Sequence, residues 1–418
     1  MDHDKKKLLE DSPSFCMMPW VHLYVNTTGE AFPCCTTMYE YPLGNVKTQT
    51  IEEIWNSDEM KKLRLNMLNG KKSPTCGRCY EHADTDPKGK LSYRNWANEE
   101  YGEFIDLIDQ TQEDGHLPVM NLKHFDVRWS NMCNFKCRTC SDMFSSSWAQ
   151  EAKATWKKDD PNYKIYIKAK DNNNELLDQF KPYLPGMKTV YFAGGEPLIM
   201  DEHYKTLEYL IESGSTDMLL WYNSNASNLH YKNKNITEYW KHFKRIKFCA
   251  SLDSYGERAE YMRHGTVWKD IISNLQTIKK ECPHINIGFN CVVGMWNCLT
   301  ITDLFDNLVE HGIINLSVEN TNISLYRQID PPQQNAKILP LELRSQGIDK
   351  IHDWLNRNKP SGPMRAHLLS IVDYLKMPQE TDEELRKRIK HYIIDLDTIR
   401  NESFTKTFPE LREWYEGL

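Results

Sequence analysis

The stretch Asp126-Val127-Arg128-Trp129-Ser130-Asn131-Met132-Cys133-Asn134-Phe135-Lys136-Cys137-Arg138-Thr139-Cys140 decides how the rest of the 418-residue chain is read. Phe125, Val127 and Trp129 alternate with polar residues, so a strand runs into a loop carrying three cysteines spaced x3 and x2. Three thiolates in one short loop suit three irons of a 4Fe–4S cluster and leave the remaining iron without a protein ligand. The competing reading is a zinc knuckle. A structural zinc site needs a fourth Cys or His, and none follows at short range.

Downstream, strand-like and helix-like stretches alternate, which is the pattern of parallel β/α units. Thr189-Val190-Tyr191-Phe192 enters Ala193-Gly194-Gly195-Glu196-Pro197, where two glycines permit a ligand to approach the backbone closely. Further strands are expected at Met218–Tyr222, Ile246–Asp253, Ile285–Val293 and Asn315–Glu319, six in all with the two before them. Ligands in such sheets gather at the carboxyl ends of strands. The cysteine loop, Gly194-Gly195-Glu196, Asn223-Ser224-Asn225 and Asp253 all fall there. Beyond Asn320 the break Pro331-Pro332-Gln333-Gln334-Asn335 leads into a helical tail, with one helix starting as a capping box at Thr381-Asp382-Glu383-Glu384.

Upstream, Val21–Val25 and Glu30–Cys35 form the arms of a hairpin turning at Asn26-Thr27-Thr28-Gly29. Thr50-Ile51-Glu52-Glu53 starts a short helix, a second runs from Ser57 to Leu68, and Pro74-Thr75-Cys76-Gly77-Arg78-Cys79 makes a tight knuckle. Hairpin and knuckle together deliver four cysteines to a closed site, which taken alone suits structural zinc. Residues 86–121 read as a connector with one helix, Tyr93 to Asp109.

The Cys133-x3-Cys137-x2-Cys140 loop after a strand, with Gly194-Gly195-Glu196-Pro197 in register behind it, resembles the radical S-adenosylmethionine (SAM) superfamily. The resemblance implies a partial (β/α)6 TIM-type barrel whose cluster, held by Cys133, Cys137 and Cys140, chelates SAM through its free iron. A reduced cluster then cleaves SAM to methionine and a 5′-deoxyadenosyl radical, which takes hydrogen from a substrate carbon. It further implies that Gly194, Gly195, Glu196 and Pro197 hold the SAM amino group, an ammonium that suits an anionic side chain. Ser224, Asn225, Ser251 and Asp253 would meet its carboxylate and ribose, Arg263 its carboxylate, and Val292 or Val293 its adenine. Thr139 stands where the family often has an aromatic, and Phe135 is the alternative adenine cover.

Cys16, Gly29, Cys34 and Cys76-x2-Cys79 resemble the SPASM/twitch auxiliary-cluster domain of that superfamily. With no cysteine from Tyr80 to Lys90 the twitch form, with one fully ligated second 4Fe–4S cluster, fits better. Such domains usually follow the barrel, whereas this one precedes it. Cys34 fits the spacing and Cys35 is the alternative. The resemblance divides the chain into a small Cys-rich α+β twitch/SPASM-like domain at 14–85, a helical connector at 86–121, a radical SAM core barrel at 122–320 and a helical C-terminal region at 321–418. It implies an oxidoreductase-type enzyme acting on a peptide or small molecule, supplied with electrons by a flavodoxin or ferredoxin. A redox-neutral outcome would need a hydrogen donor. Of the spare cysteines, Cys249 and Cys291 lie in strands, and Cys298, past a strand end, is the better candidate.

A net charge of −7 gives no sign of a nucleic-acid partner, and no stretch of 18 apolar residues suggests a membrane span. Met1 to Lys7 is charged and is followed by no apolar signal segment, so the expected compartment is the cytoplasm. Twelve cysteines could mean disulfides, but the clustering of several at ligand spacings, in a reducing compartment, argues for metal binding. The alternative function is a non-enzymatic iron–sulfur electron carrier or a zinc-stabilised binding module. Polar groups at successive strand ends favour the enzyme, because a carrier needs no methionine-binding site.

Overall fold

A computed structural model describes residues 3–85, 92–316, 322–360 and 362–418. Nine strands form one sheet: β1 (His22–Val25), β2 (Glu30–Phe32), β3 (Gly44–Asn45), β4 (His124–Val127), β5 (Thr189–Phe192), β6 (Leu219–Ser224), β7 (Arg245–Ser251), β8 (Asn286–Val293) and β9 (Asn322–Arg327). Their spatial order is β9-β8-β7-β6-β5-β4-β1-β2-β3. From β4 to β9 each strand lies parallel to the next one in this series. Parallel neighbours joined by helical crossovers make the partial α/β barrel.

The alternation around β4 sorts its residues between two environments. Phe125, Val127 and Trp129 point into the apolar layer under the helices, where Phe125 meets Phe180 edge-to-face at 5.2 Å. His124, Asp126 and Arg128 point the other way, into the barrel, and are buried there too. Crossover helices bury one stripe each. In Trp268–Glu281, for example, Ile271, Leu275 and Ile278 recur at helical spacing on the sheet side.

The hairpin forms as expected, with Asn26 Oδ1 accepting from the Thr28 and Glu30 amides and Gly29 at φ +89° closing the turn. Its first strand does not stand apart from the barrel. β1 pairs in parallel with β4, so the Cys-rich segment extends the same sheet. Thr50 and Glu53 complete a capping box at Ile51–Trp55, and Ser57 caps Asp58–Leu68.

Two expectations are corrected here. The sixth parallel strand is β9 at Asn322–Arg327, past the boundary at residue 320. Asn315 and Leu316 are not strand, and residues 317–319 of the expected stretch lie outside the described residues. In the C-terminal region, helix Glu383–Arg400 is capped by Asp382, whose carboxylate accepts from the Glu384 amide two residues on, so Thr381 is not the cap. Helix Gly362–Leu375 packs beside β9, where Arg327 Nη2 donates to Ser370 Oγ at 3.0 Å. Among the described residues no helix is long and apolar enough to cross a membrane.

Candidate active site

The cysteine loop is fastened from three sides. Lys136–Cys137 pairs antiparallel with Arg263–His264, and the Arg138 amide donates to the Met262 carbonyl at 2.7 Å. Ser145 and Ser147 hydroxyls donate to the Phe135 and Cys133 carbonyls at 2.6 Å each. Arg138, between the second and third cysteines, is fully buried and reaches the C-terminal region. There its Nη2 meets Asp397 at 2.7 Å and Glu402 at 2.6 Å, and its guanidinium lies 3.7 Å from the Tyr261 ring centroid. Gln334 and the Tyr392 hydroxyl both donate to its carbonyl at 2.7 Å. The helical tail therefore holds the loop in place.

Cys133, Cys137 and Cys140 converge. Burial pushes all three thiols up, Cys140 to about 12, and each feels at least one of the others as a neighbouring charge or the nearby Arg263 guanidinium. Arg263 Nη1 stands 3.8 Å from Cys137 Sγ, and its Nε donates to Asp253 at 2.8 Å. Asp253 also accepts from the Val292 amide at 2.8 Å, locking the ends of β7 and β8 together.

The glycine loop after β5 closes against the cysteine loop. The Glu196 amide donates to the Met132 carbonyl at 2.7 Å. Gly195 has φ +56°, and a Cβ there would sit 2.2 Å from the same Met132 oxygen; Gly194, at φ +82°, would drive one into Arg128. Both positions require glycine. Glu196 is buried, and its carboxylate accepts from Ser224 Oγ at 2.8 Å, the Asn225 amide at 2.7 Å and the Leu198 amide at 3.1 Å. Burial outweighs these donors and raises its pKa to about 7. Pro197 begins a buried 3-10 turn. Asn225 bonds Asn134 of the cysteine loop at 2.9 Å. Phe135, Asn225, Ser251, Asp253, Arg263 and Trp268 line one narrow cleft. Glu196, Asp253 and Arg263 thus lie near the cysteines, Gly195 and Asn225 touch their loop, and Ser251 lines the adjoining cleft.

Two expected positions do not fit. Val293 is fully buried on the helix side of β8, while Val292 is only partly covered, so strand alternation gives Val292 the open side. Cys298 is fully buried beneath the C-terminal helix Leu341–Asn358, where a Cβ on Gly347 would touch its carbonyl oxygen at 2.4 Å. Cys249 and Cys291 are buried as well.

The second cysteine set also assembles. Thr37 Oγ1 and the Met38 amide both donate to the Thr75 carbonyl, drawing the hairpin end onto the knuckle. Cys16 lies near Cys79 and Cys76, and Cys34 near Cys76, Cys16 and Cys79; burial raises the Cys16 and Cys34 thiols, and Cys76 to about 12. Cys35 faces elsewhere, toward Asp126 and Arg128. Among the described residues neither cysteine set brings three sulfurs within 4.8 Å of one another. Tetrahedral zinc with Zn–S near 2.3 Å would need sulfurs roughly 3.8 Å apart. Sets of three and of four free thiols have the donor chemistry of iron–sulfur clusters, the first leaving one iron without a protein ligand.

The barrel interior holds polar groups that the sequence did not single out. Arg128 pairs with the buried Asp126 (2.9 Å) and lies over the Tyr191 ring at 4.7 Å. Asn290 donates to Asn223 at 2.8 Å, and Asn223 contacts the Tyr191 hydroxyl. Burial lifts Asp126 to about 6 and holds His22, near 4, and His124 neutral at pH 7. Their signal was polar residues at every second position of strands otherwise wholly buried.

Residues 16–80 match the family model for SPASM, described as an iron-sulfur cluster-binding domain. No curated protein matches the chain. Among solved structures, anSMEcpe with bound AdoMet overlays 58% of this chain and 61% of its own, at 16% identity and a TM-score of 0.40. The chain thus spans less than two thirds of that protein's length. Streptococcus suis SuiB bound to precursor peptide SuiA overlays 82% of this chain and 70% of its own, at 13% identity and a TM-score of 0.38. The radical S-adenosylmethionine methyltransferase TsrM from Kitasatospora setae overlays 66% and 51%, at 11% identity and a TM-score of 0.32.

Proposed function

We propose that this chain is a radical SAM enzyme with a SAM-binding 4Fe–4S cluster on Cys133, Cys137 and Cys140 and an auxiliary 4Fe–4S cluster on Cys16, Cys34, Cys76 and Cys79. One observation carries the proposal. The three-cysteine loop at the end of β4 is tied by the Glu196 amide to the glycine loop at the end of β5, beside a buried carboxylate. When bound, the reduced cluster supplies the electron that cleaves SAM to methionine and a 5′-deoxyadenosyl radical. The chain's own residues bind and orient. Glu196, oriented by three donors, would face the SAM ammonium, whose charge favours its ionised form. Arg263, steered by Asp253, presents its remaining N–H groups to the methionine carboxylate. Ser251, Asn225 and Phe135 line the cleft for ribose and adenine, with Val292 as the open apolar position of β8. The buried interior excludes water and competing hydrogen donors from the reacting carbon.

The substrate would be a peptide or small molecule held over Tyr191, Asn223 and Asn290, and the outcome an oxidation, for which a cluster held by Cys16, Cys34, Cys76 and Cys79 would supply an electron acceptor. Electrons come from a flavodoxin or ferredoxin in the cytoplasm. The auxiliary ligand is Cys34, because Cys35 is turned toward Arg128.

The test is anaerobic reconstitution with iron and sulfide, then iron counting and a reduced SAM-cleavage assay on wild type and a C133A/C137A/C140A variant. About eight irons falling to about four, with 5′-deoxyadenosine lost, is the expected result. About four irons plus one zinc would remove the auxiliary redox role. Zinc alone, with no cluster to reconstitute, would refute the proposal.

A further inference from the structure

Three buried side chains on the inner face of the sheet take no part in the chemistry above. His22 on β1 and His124 on β4 are register partners, and Asp126 follows at the next inward position. One ligand atom from each lies within 4.8 Å of the others. His22 Nδ1 is 2.9 Å from the His124 carbonyl oxygen. A carbonyl only accepts, so Nδ1 carries the hydrogen and Nε2 a lone pair. His124 Nδ1 is 2.6 Å from the Tyr101 hydroxyl, whose oxygen can accept Nδ1–H and leave Nε2 bare in the same way. This is the outer contact by which metal-binding histidines are oriented. Both Nε2 atoms and Asp126 Oδ1 are buried without a hydrogen-bond partner. Arg128 Nη2 holds the other carboxylate oxygen at 3.1 Å, and its Nε lies 2.9 Å from Oδ1 as an ion pair.

In this arrangement three acceptors converge in a buried space. Two bare imidazole nitrogens beside a carboxylate whose charge is shared with Arg128 are a donor set that one divalent cation can bridge. We propose that His22, His124 and Asp126 form a site for one divalent first-row transition ion of zinc type, with the fourth position open to water. Imidazole and carboxylate suit such an ion, and tetrahedral bonds of about 2.0–2.1 Å place ligand atoms roughly 3.4 Å apart, which side-chain rotation reaches from the observed spacing. The ion would clasp β1 to β4, and so the Cys-rich segment to the barrel. The site shares no residue with either cysteine set, so it stands or falls independently of the proposed radical chemistry.

The experiment is zinc titration of the reconstituted full-length protein, followed by dialysis, metal counting and X-ray absorption at the zinc edge. Wild type should retain one zinc beyond its iron, in a nitrogen and oxygen shell near 2.0–2.1 Å. H22Q and D126N should lose it while iron content stays unchanged. Because buried substitutions can disturb folding, Tyr101→Phe provides a second route: it removes only the oxygen behind His124 and should weaken zinc binding about tenfold or more. Three results would overturn the site: no zinc retained by wild type, as for groups sharing waters only; a sulfur shell near 2.3 Å, which would place the zinc on cysteines; or retention that Tyr101→Phe and D126N leave unaltered.

Discussion

Replacing Arg138 with methionine should cut the cysteine loop loose from the C-terminal helix. The guanidinium is fully buried, makes ion pairs at 2.7 and 2.6 Å, and stacks 3.7 Å from the Tyr261 ring centroid. Removing one partner of a buried ion pair costs about 3–5 kcal/mol, mainly because the other charge is stranded. Here the stranded carboxylates, Asp397 and Glu402, keep 16% and 19% of their side-chain surface in solvent. Hydration recovers part of the loss, so about 2–3 kcal/mol is expected. Two assays read it. Denaturant unfolding should show the lowered midpoint, and iron counting after reconstitution should show loss from the SAM-binding cluster, from about eight irons toward four. The triple variant R138M/D397N/E402Q should then recover much of the stability, because no unpaired charge remains, and this non-additivity is the signature of a stranded-charge mechanism. An R138M protein as stable as wild type and holding all its iron would refute the reasoning. So would a triple variant no better than the single one.

Glu196 carries a pH prediction. Its folded pKa, raised by burial to about 7, lies above that of the unfolded chain, so its ionisation opposes folding as pH rises toward and through 7. SAM's ammonium should reverse this, since it binds the ionised form. SAM affinity should therefore rise between pH 6 and 8 in wild type and be flat in E196Q, as equilibrium dialysis would measure; a sloped E196Q curve would assign the effect elsewhere. C34A should lose about four irons and C35A none, and equal losses would undo the assignment of Cys34. In G195A the new Cβ meets the Met132 carbonyl at 2.2 Å on a backbone at φ +56°. About 1–3 kcal/mol of strain is expected, with SAM binding lost; a variant that binds SAM normally would show that the two loops move independently.

The cysteine spacings, the glycine loop and the strand–helix rhythm were legible because they are local. Glu196 announced itself by standing at a strand end after two glycines. Val293 was misplaced because two adjacent valines at the end of β8 give no period from which to tell inside from outside. The sixth strand was expected at Asn315–Glu319 because that stretch follows a helix as the earlier strands do, whereas the strand paired with β8 is Asn322–Arg327. Arg138 had no sequence signal at all. Its partners stand 259 and 264 residues away, and only the folded chain brings them together. The His22, His124 and Asp126 group was hidden for the same reason, since β1 and β4 meet across about a hundred residues.

That last pairing also bears on the order in which the protein is made. β1 has β2 on one side, but its other edge stays bare until β4 has been synthesised, because His22 and His124 are register partners 102 residues apart. The entropy of closing so long a loop grows only logarithmically, so the contact is affordable once β4 exists. Until then the early strand exposes unpaired amides and apolar side chains, the form of a nascent chain most open to mispairing. Cys16 and Cys34 flank that strand pair. Folding of the amino-terminal segment is thereby made conditional on the first strand of the barrel, and a truncated chain ending before residue 124 should be captured by chaperones rather than fold.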